Sequence, residues 1–139
     1  MTLNELIEGY AELLTDSRNT TAERRTAETA KALADNTTLR LRAKLASTKA
    51  EVDSDVRERL AATPGAKVTD AGVAAGVASH PSVVRLADEL IEAEQQRNNA
   101  EADIESLRAI DRDLAYRAQH LNALGSLLRD EARASLLSP

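Results

Sequence analysis

The sequence predicts an all-α protein: a long antiparallel helical hairpin with coiled-coil character, plus short N-terminal and linker helices, assembling as a homo-oligomer. Composition is the first reason. The 139 residues include 26 Ala but only two aromatic residues, which is typical of long helices rather than of a compact core. The second reason is that apolar residues repeat at helical spacing. The third is that the apolar seams are narrow and must be buried against partner helices. The length suits a single helical domain, residues 1–139.

The first predicted helix covers residues 2–14. Thr2 and Glu5 have the spacing of a capping box, in which hydroxyl and carboxylate satisfy each other's backbone N–H groups. Apolar side chains then follow at helical spacing: Leu3, Leu6, Ile7, Tyr10, Leu13 and Leu14. The stretch TDSRNTT, residues 15–21, is rich in capping and turn residues, so the sequence predicts a loop or hinge there.

The second predicted helix is long and basic and covers residues 21–62. At about 100° per residue, one stripe of mostly small residues lies along it. Its members are Ala27, Ala30, Ala34, Thr37, Leu41, Leu45, Thr48, Val52 and Val56. A seam of small side chains lets a partner helix approach closely. The tripeptide TPG, residues 63–65, ends this helix.

Two further helices are predicted in the second half of the chain. Residues 69–79 form a short helix with Thr69 as its N-cap, and Pro81 suits the first position of a long heptad helix, residues 81–134. Its seam is Leu86, Leu90, Ala93, Arg97, Ala100, Ile104, Leu107, Asp111, Leu114, Ala118, Leu121, Gly125 and Leu128. The polar positions Arg97 and Asp111 tend to fix helix register. The predicted oligomerisation residues are Leu107, Leu114, Leu121 and Leu128.

Net basic character is confined to one segment of an acidic chain. The whole chain carries 18 Lys and Arg against 23 Asp and Glu. Residues 18–50 are nevertheless basic, and no acid lies between Asp35 and Glu51. Phosphate binding needs a row of unpaired cations, because each phosphate contact displaces counterions.

Cysteine and histidine, which many catalytic and metal sites use, are scarce in this chain. The chain has no cysteine, which suits a reducing cytoplasm, and its two histidines, His80 and His120, have no metal-ligand spacing. No glycine-rich phosphate loop and no membrane-spanning apolar run is present. We therefore expect a cytoplasmic protein that is not an enzyme and has no cofactor, no metal and no membrane partner.

The candidate nucleic-acid-binding residues lie on both flanks of the seam of the second helix. On a helical wheel four of them fall at nearly the same angle: Arg24, Lys31, Arg42 and Lys49. Arg40 and Lys44 lie on the opposite flank. Two interpretations remain open. The cations contact phosphates, or they are flanking charges that pair with acids of the last helix.

The stretch Leu41-Arg42-Ala43-Lys44-Leu45 resembles the basic Leu-x-Ala-x-Leu stretch in the first long helix of the UvsY-type phage recombination mediators. The start, MTLNELIEGYAELL, is also similar, and so are positions of the second half such as Lys67, Thr69 and Leu124-Gly125. The resemblance implies a ring-like homo-oligomer that binds single-stranded DNA through Arg42 and Lys44. It also implies a protein that helps a RecA-like recombinase displace single-strand-binding protein, in the host cytoplasm if it is phage-encoded. No aromatic residue follows the basic stretch, whereas relatives can have tyrosines there, so base stacking at this place is missing.

Two other functions compete with this one. The first is a structural coiled-coil oligomer, such as a phage scaffold or tail-assembly component, without nucleic-acid binding. Such a protein would leave a single-stranded DNA column at very low salt. The second is a helical regulator that binds a protein partner through its first amphipathic helix, which deletion of residues 1–17 would test.

Overall fold

A computed structural model describes residues 1–137, and these residues form three α-helices and no strand. Helix α1 covers Leu3–Ala62, α2 covers Asp70–Ser79 and α3 covers Pro81–Leu137. The predicted all-α class is confirmed. None of these helices combines the length and the apolar character that crossing a membrane requires.

Helix α1 has no break where the sequence predicts one. The predicted capping box is present: the Thr2 N–H donates to Glu5 Oε2 at 2.6 Å, and the Glu5 N–H donates to Thr2 Oγ1 at 3.2 Å. The hydrogen bond from the Thr2 N–H lowers the pKa of the Glu5 carboxyl. The loop predicted at residues 15–21 is wrong, because α1 continues through it. Side-chain hydroxyls of that stretch donate to carbonyls four residues earlier, which is how Thr hydroxyls are satisfied within a helix.

The end of α1 and the first residues of α2 and α3 agree with the signals that the sequence contains. Helix α1 ends before Gly65, whose φ of 79° is a left-handed conformation that glycine adopts without strain. Thr69 caps α2 by accepting a hydrogen bond from the Gly72 N–H at 3.0 Å. Helix α3 begins at Pro81, as predicted, and extends to Leu137 rather than to residue 134. The ring nitrogen Nδ1 of His80 accepts from the Ser82 N–H at 3.2 Å, so His80 is a capping residue.

The structure contains two compact units. Unit 1 consists of Met1–Thr29 and the described part of Glu101–Pro139, and unit 2 consists of Ala30–Ala100. Both long helices contribute residues to each unit, so neither unit corresponds to a single predicted helix. The expectation of one helical domain stays a prediction.

In unit 1 the two helix segments pack antiparallel, since partner positions on α3 decrease as positions on α1 increase. The Tyr10 hydroxyl donates to Asn122 Oδ1, and further along Arg117 Nη1 donates to Asp16 Oδ2 at 2.8 Å. Gly9 lies directly against Leu121: a Cβ at Gly9 would be 2.9 Å from the leucine Cδ2 atom. An apolar cluster completes the unit: Ala27, Ile104 and Leu107.

Unit 2 is held together by valines from all three helices. The buried cluster is Val52, Val56, Val73, Val77 and Val83. Gly76 allows α2 to approach α1, because a Cβ at that position would lie 2.9 Å from Cγ1 of Val56. Arg57 adds polar links, to Asp53 on its own helix at 2.8 Å and to Asp70 on α2 at 3.3 Å. Both hydrogen bonds raise the pKa of the Arg57 guanidinium, and the bond to Asp53 contributes more than the bond to Asp70.

The predicted seams match the observed burial on α3 better than on α1. All thirteen predicted seam positions of α3 are buried or half-buried. On α1 eight of the nine predicted positions are buried or half-buried, and the ninth, Ala30, is exposed. Thr38, which the predicted stripe leaves out, is only 1% exposed. The seam of α1 therefore follows a slightly different line from the predicted one.

Thr38 carries a buried hydroxyl without a hydrogen-bond partner among the described residues. We expect Thr38→Val, which keeps the shape and removes the hydroxyl, to raise the free energy of unfolding by about 1 kcal/mol. Urea denaturation followed by circular dichroism measures this change. The control is the neighbour Thr37→Val, because the Thr37 hydroxyl donates to the Leu33 carbonyl at 2.9 Å. Equal effects of the two substitutions would contradict the assignment of a cost to the Thr38 hydroxyl.

Candidate nucleic-acid interface

The six candidate cations all lie on α1, one in unit 1 and five in unit 2. In unit 1, Arg24 is half-buried and donates from Nη1 to Asp111 Oδ2. Asp111 is one of the two polar positions in the predicted α3 seam. The pair therefore satisfies a carboxylate in the seam, and Arg24 does not project as an open cation.

In unit 2, Arg42 also has an acidic partner on α3. Its Nη2 atom lies 3.0 Å from Oε1 of Glu94, with the two side chains 50% and 35% exposed. An ion pair this exposed contributes about 0–1 kcal/mol. Arg42 can therefore exchange the carboxylate for a phosphate at low energetic cost. The pairing is nevertheless the arrangement that the flanking-charge interpretation predicts.

Lys31 does not share a face with Lys49 and Arg42, contrary to the wheel at 100° per residue. Lys31 is half-buried, whereas Lys49 and Arg42 are exposed. Burial in this part of α1 repeats every seven residues: Lys31, Thr38, Leu45 and Val52. Lys49 follows Lys31 by 18 positions, which is five whole turns at 3.6 residues per turn but is displaced by about 50° at 3.5. The seven-residue repeat therefore turns Lys31 toward the seam and Lys49 away from it.

Three candidate cations are exposed and form no ion pair within residues 1–137: Arg40, Lys44 and Lys49. Arg40 and Lys44 are four positions apart, so they neighbour each other on one face of the helix. Ala43 and Ser47 share that face and are also exposed. We call these four residues the basic shoulder. Lys49 lies on the opposite flank of the seam.

The basic shoulder has the chemistry that a phosphate contact requires. It combines two unpaired cations with two small side chains, which leave the cationic groups accessible from solvent. No acid interrupts the sequence from residue 36 to residue 50. Across the described part of the chain, no group of three His, Cys, Asp or Glu side chains is arranged to hold a metal ion.

The predicted oligomerisation leucines are largely enclosed within the chain itself. Leu107, Leu114 and Leu121 are buried in unit 1, at 7%, 7% and 8% exposure, and Leu128 is half-buried. The Leu121 side chain contacts Gly9 of α1. Packing inside unit 1 thus accounts for their burial, and their role between copies stays a prediction.

Polar pairs across the seams are the feature that sequence reasoning identifies only in part. The sequence predicts that Arg97 and Asp111 fix register, and their partners are Asp35, 4.0 Å away in unit 2, and Arg24 in unit 1. Asp16, which lies in the wrongly predicted loop, pairs with Arg117 instead. The available signal for the first two pairs is a charged residue at a seam position of α3, whereas neither Asp16 nor Arg117 lies in a predicted seam.

Comparison of the chain with protein-family models, with curated proteins and with solved structures gave no match. The similarity to UvsY-type mediators therefore depends on the residues quoted above and stays a hypothesis.

Proposed function

We propose that this protein is a recombination mediator without enzymatic activity. It binds single-stranded DNA as a ring-like homo-oligomer of helical hairpins and helps load a RecA-like recombinase onto strand coated with single-strand-binding protein. The observation that supports the proposal most directly is the basic shoulder, with Arg40 and Lys44 exposed and unpaired in an acid-free stretch of α1.

The contact residues of this proposal differ from those that the family resemblance implies. Lys44 remains a phosphate-contacting residue. Arg40 replaces Arg42 as the second one, because the Arg42 guanidinium lies 3.0 Å from the Glu94 carboxylate. Lys49 and Arg42 on the other flank provide additional cations. Arg24 and Lys31, both half-buried, have a secondary part at most.

Oligomerisation is what makes a few cations sufficient. A single patch with two or three phosphate contacts binds weakly at physiological salt. A ring repeats the patch along one strand, and each further contact benefits from the high effective concentration that the first contact creates. The remaining chain is acidic, and its charge disfavours nonspecific binding away from the patch.

A salt titration of DNA binding tests the proposal. We expect the wild-type protein to bind a labelled oligothymidylate, with log K falling linearly against log salt by roughly 0.7 per phosphate contact. Light scattering in the same buffers should report several times the 15.0 kDa mass of one chain. Absence of binding at low salt would contradict the mediator function. Binding by a particle of 15.0 kDa, the mass of one chain, would contradict the proposed ring.

A structural coiled-coil oligomer without nucleic-acid binding is the second candidate. The pairs Arg24–Asp111 and Arg42–Glu94 favour it, because these candidate cations contact acids of α3 as that function predicts. It predicts that light scattering reports an oligomer and that the protein has no measurable affinity for the oligothymidylate. The same two measurements therefore separate the candidates.

A further inference from the structure

Tyr116 is an exposed aromatic side chain that the fold of unit 1 does not use. It lies on α3 and is 70% exposed. The only other aromatic residue of the chain, Tyr10, has a structural hydrogen bond to Asn122. On α3 the residues four positions before and after Tyr116 are Arg112 and His120, and both are exposed.

A groove lies beside Tyr116 between α1 and α3 of unit 1. Its volume is about 410 Å³, within the range of small-ligand sites. It is lined by Gly9, Glu12, Tyr116, Arg117, His120 and Leu121. Gly9 and Leu121, which are in contact, are the apolar members of this lining apart from the tyrosine ring. The result is an apolar floor with an aromatic ring at the side.

The polar groups of the groove suit a nucleobase better than a phosphate. The Arg117 guanidinium is held by Asp16 at 2.8 Å, and this hydrogen bond raises its pKa, so it is already neutralised by a carboxylate. Glu12 adds a second acid beside it, which repels phosphate. The Glu12 carboxylate can accept a hydrogen bond from a base N–H, such as thymine N3–H, and a ring N–H of His120 can donate to a base carbonyl.

We propose that the Tyr116 groove is a stacking site for an unpaired nucleobase of a single strand. The inference rests on the proposed function, because it requires that the protein binds single-stranded nucleic acid. It supplies the base contact that the basic stretch lacks. An exposed tyrosine ring stacks on any base, so the site contributes affinity with little sequence preference.

The test compares variants of Tyr116 in the oligothymidylate titration. Tyr116→Ala should weaken binding about tenfold at every salt concentration and leave the salt slope unchanged, because stacking releases no counterions. Tyr116→Phe keeps the ring and should bind like the wild type. An abasic strand of the same length should be bound equally by the wild type and by Tyr116→Ala. Circular dichroism of the variants checks that the helices are retained.

Tyrosine fluorescence gives an independent readout, because the chain has no tryptophan. In a Tyr10→Phe background only Tyr116 emits, and its emission should be quenched by oligothymidylate but not by the abasic strand.

Unchanged affinity of Tyr116→Ala and unquenched emission, with salt-dependent binding by the wild type, would overturn the stacking site and leave the proposed function standing. Equal losses in Tyr116→Phe and Tyr116→Ala would assign the contact to the hydroxyl and also overturn it. A wild-type protein that binds no strand would remove both proposals.

Discussion

Replacing Leu121 by aspartate is expected to unfold unit 1. Leu121 is 8% exposed and packs against Gly9, where the two helices are too close to leave room for a Cβ. A carboxylate at this position would lose the leucine contacts and would be buried without a partner, at a total cost of several kcal/mol. Most small domains are stable by only about 5–15 kcal/mol, so a loss of this size is large.

Leu127→Asp is the matched control, because Leu127 lies on the same helix but is 58% exposed. We expect it to change the free energy of unfolding by less than about 0.5 kcal/mol. Urea denaturation followed by circular dichroism compares both variants with the wild type. Similar stability of Leu121→Asp and Leu127→Asp would contradict the packing described for unit 1.

Replacing Arg40 and Lys44 together by alanine is expected to have the largest effect on DNA binding. If each cation contacts one phosphate, the slope of log K against log salt should decrease by roughly 1.4 for one chain on a single strand. The affinity should fall about equally for all sequences, since phosphate contacts carry no sequence information. In a ring the loss recurs in every subunit, so the decrease in avidity should be larger still.

The matched control removes two other exposed cations of unit 2, Arg59 and Lys67, with the same change in net charge. It should leave the salt slope unchanged. Helicity and particle mass should be normal in both double variants, because none of the four side chains is buried. A slope that is equally reduced by the control would attribute binding to net charge rather than to the basic shoulder.

Arg42→Ala provides a third comparison within the same titration. If Arg42 functions mainly as the partner of Glu94, its loss should lower stability slightly, by about 0–1 kcal/mol, and affect DNA binding less than the loss of Lys44. A larger loss of DNA affinity for Arg42→Ala than for Lys44→Ala would favour the contact pair that the family resemblance implies.

The seam of α3 could be predicted from the sequence because its strict seven-residue repeat carries its own register. The same seven-residue repeat explains why a helical wheel drawn at 100° per residue places some cations of α1 on the wrong face. A helix whose burial repeats every seven residues drifts from a straight 3.6-residue wheel by about 20° per heptad. Over the 18 positions from Lys31 to Lys49 the drift is enough to separate a half-buried cation from an exposed one.

The loop predicted at residues 15–21 is wrong for a different reason. Ser, Thr, Asn and Asp favour caps and turns when they act alone. Here Asp16 pairs with Arg117 of α3, and the threonine hydroxyls bond to carbonyls of their own helix. Tertiary contacts of this kind override local propensity, and the sequence of one helix does not contain them. The groove at Tyr116 could not be predicted either, because it exists only where Gly9 meets α3.

The side-chain pairs that join the helices enclose loops of very different length, so the entropic cost of closing each loop differs. The Arg57–Asp70 pair encloses 13 positions, Arg42–Glu94 encloses 52, and Tyr10–Asn122 encloses 112. Loop-closure entropy increases with the logarithm of length, so closing the longest loop first costs about 2 kcal/mol more than closing the shortest. The least costly folding nucleus is therefore the turn between α1 and α2, where Gly76 meets Val56. Pairs that then form in order outward from this nucleus, Arg42–Glu94 before Tyr10–Asn122, each close a shorter effective loop, which favours rapid folding despite their high sequence separation.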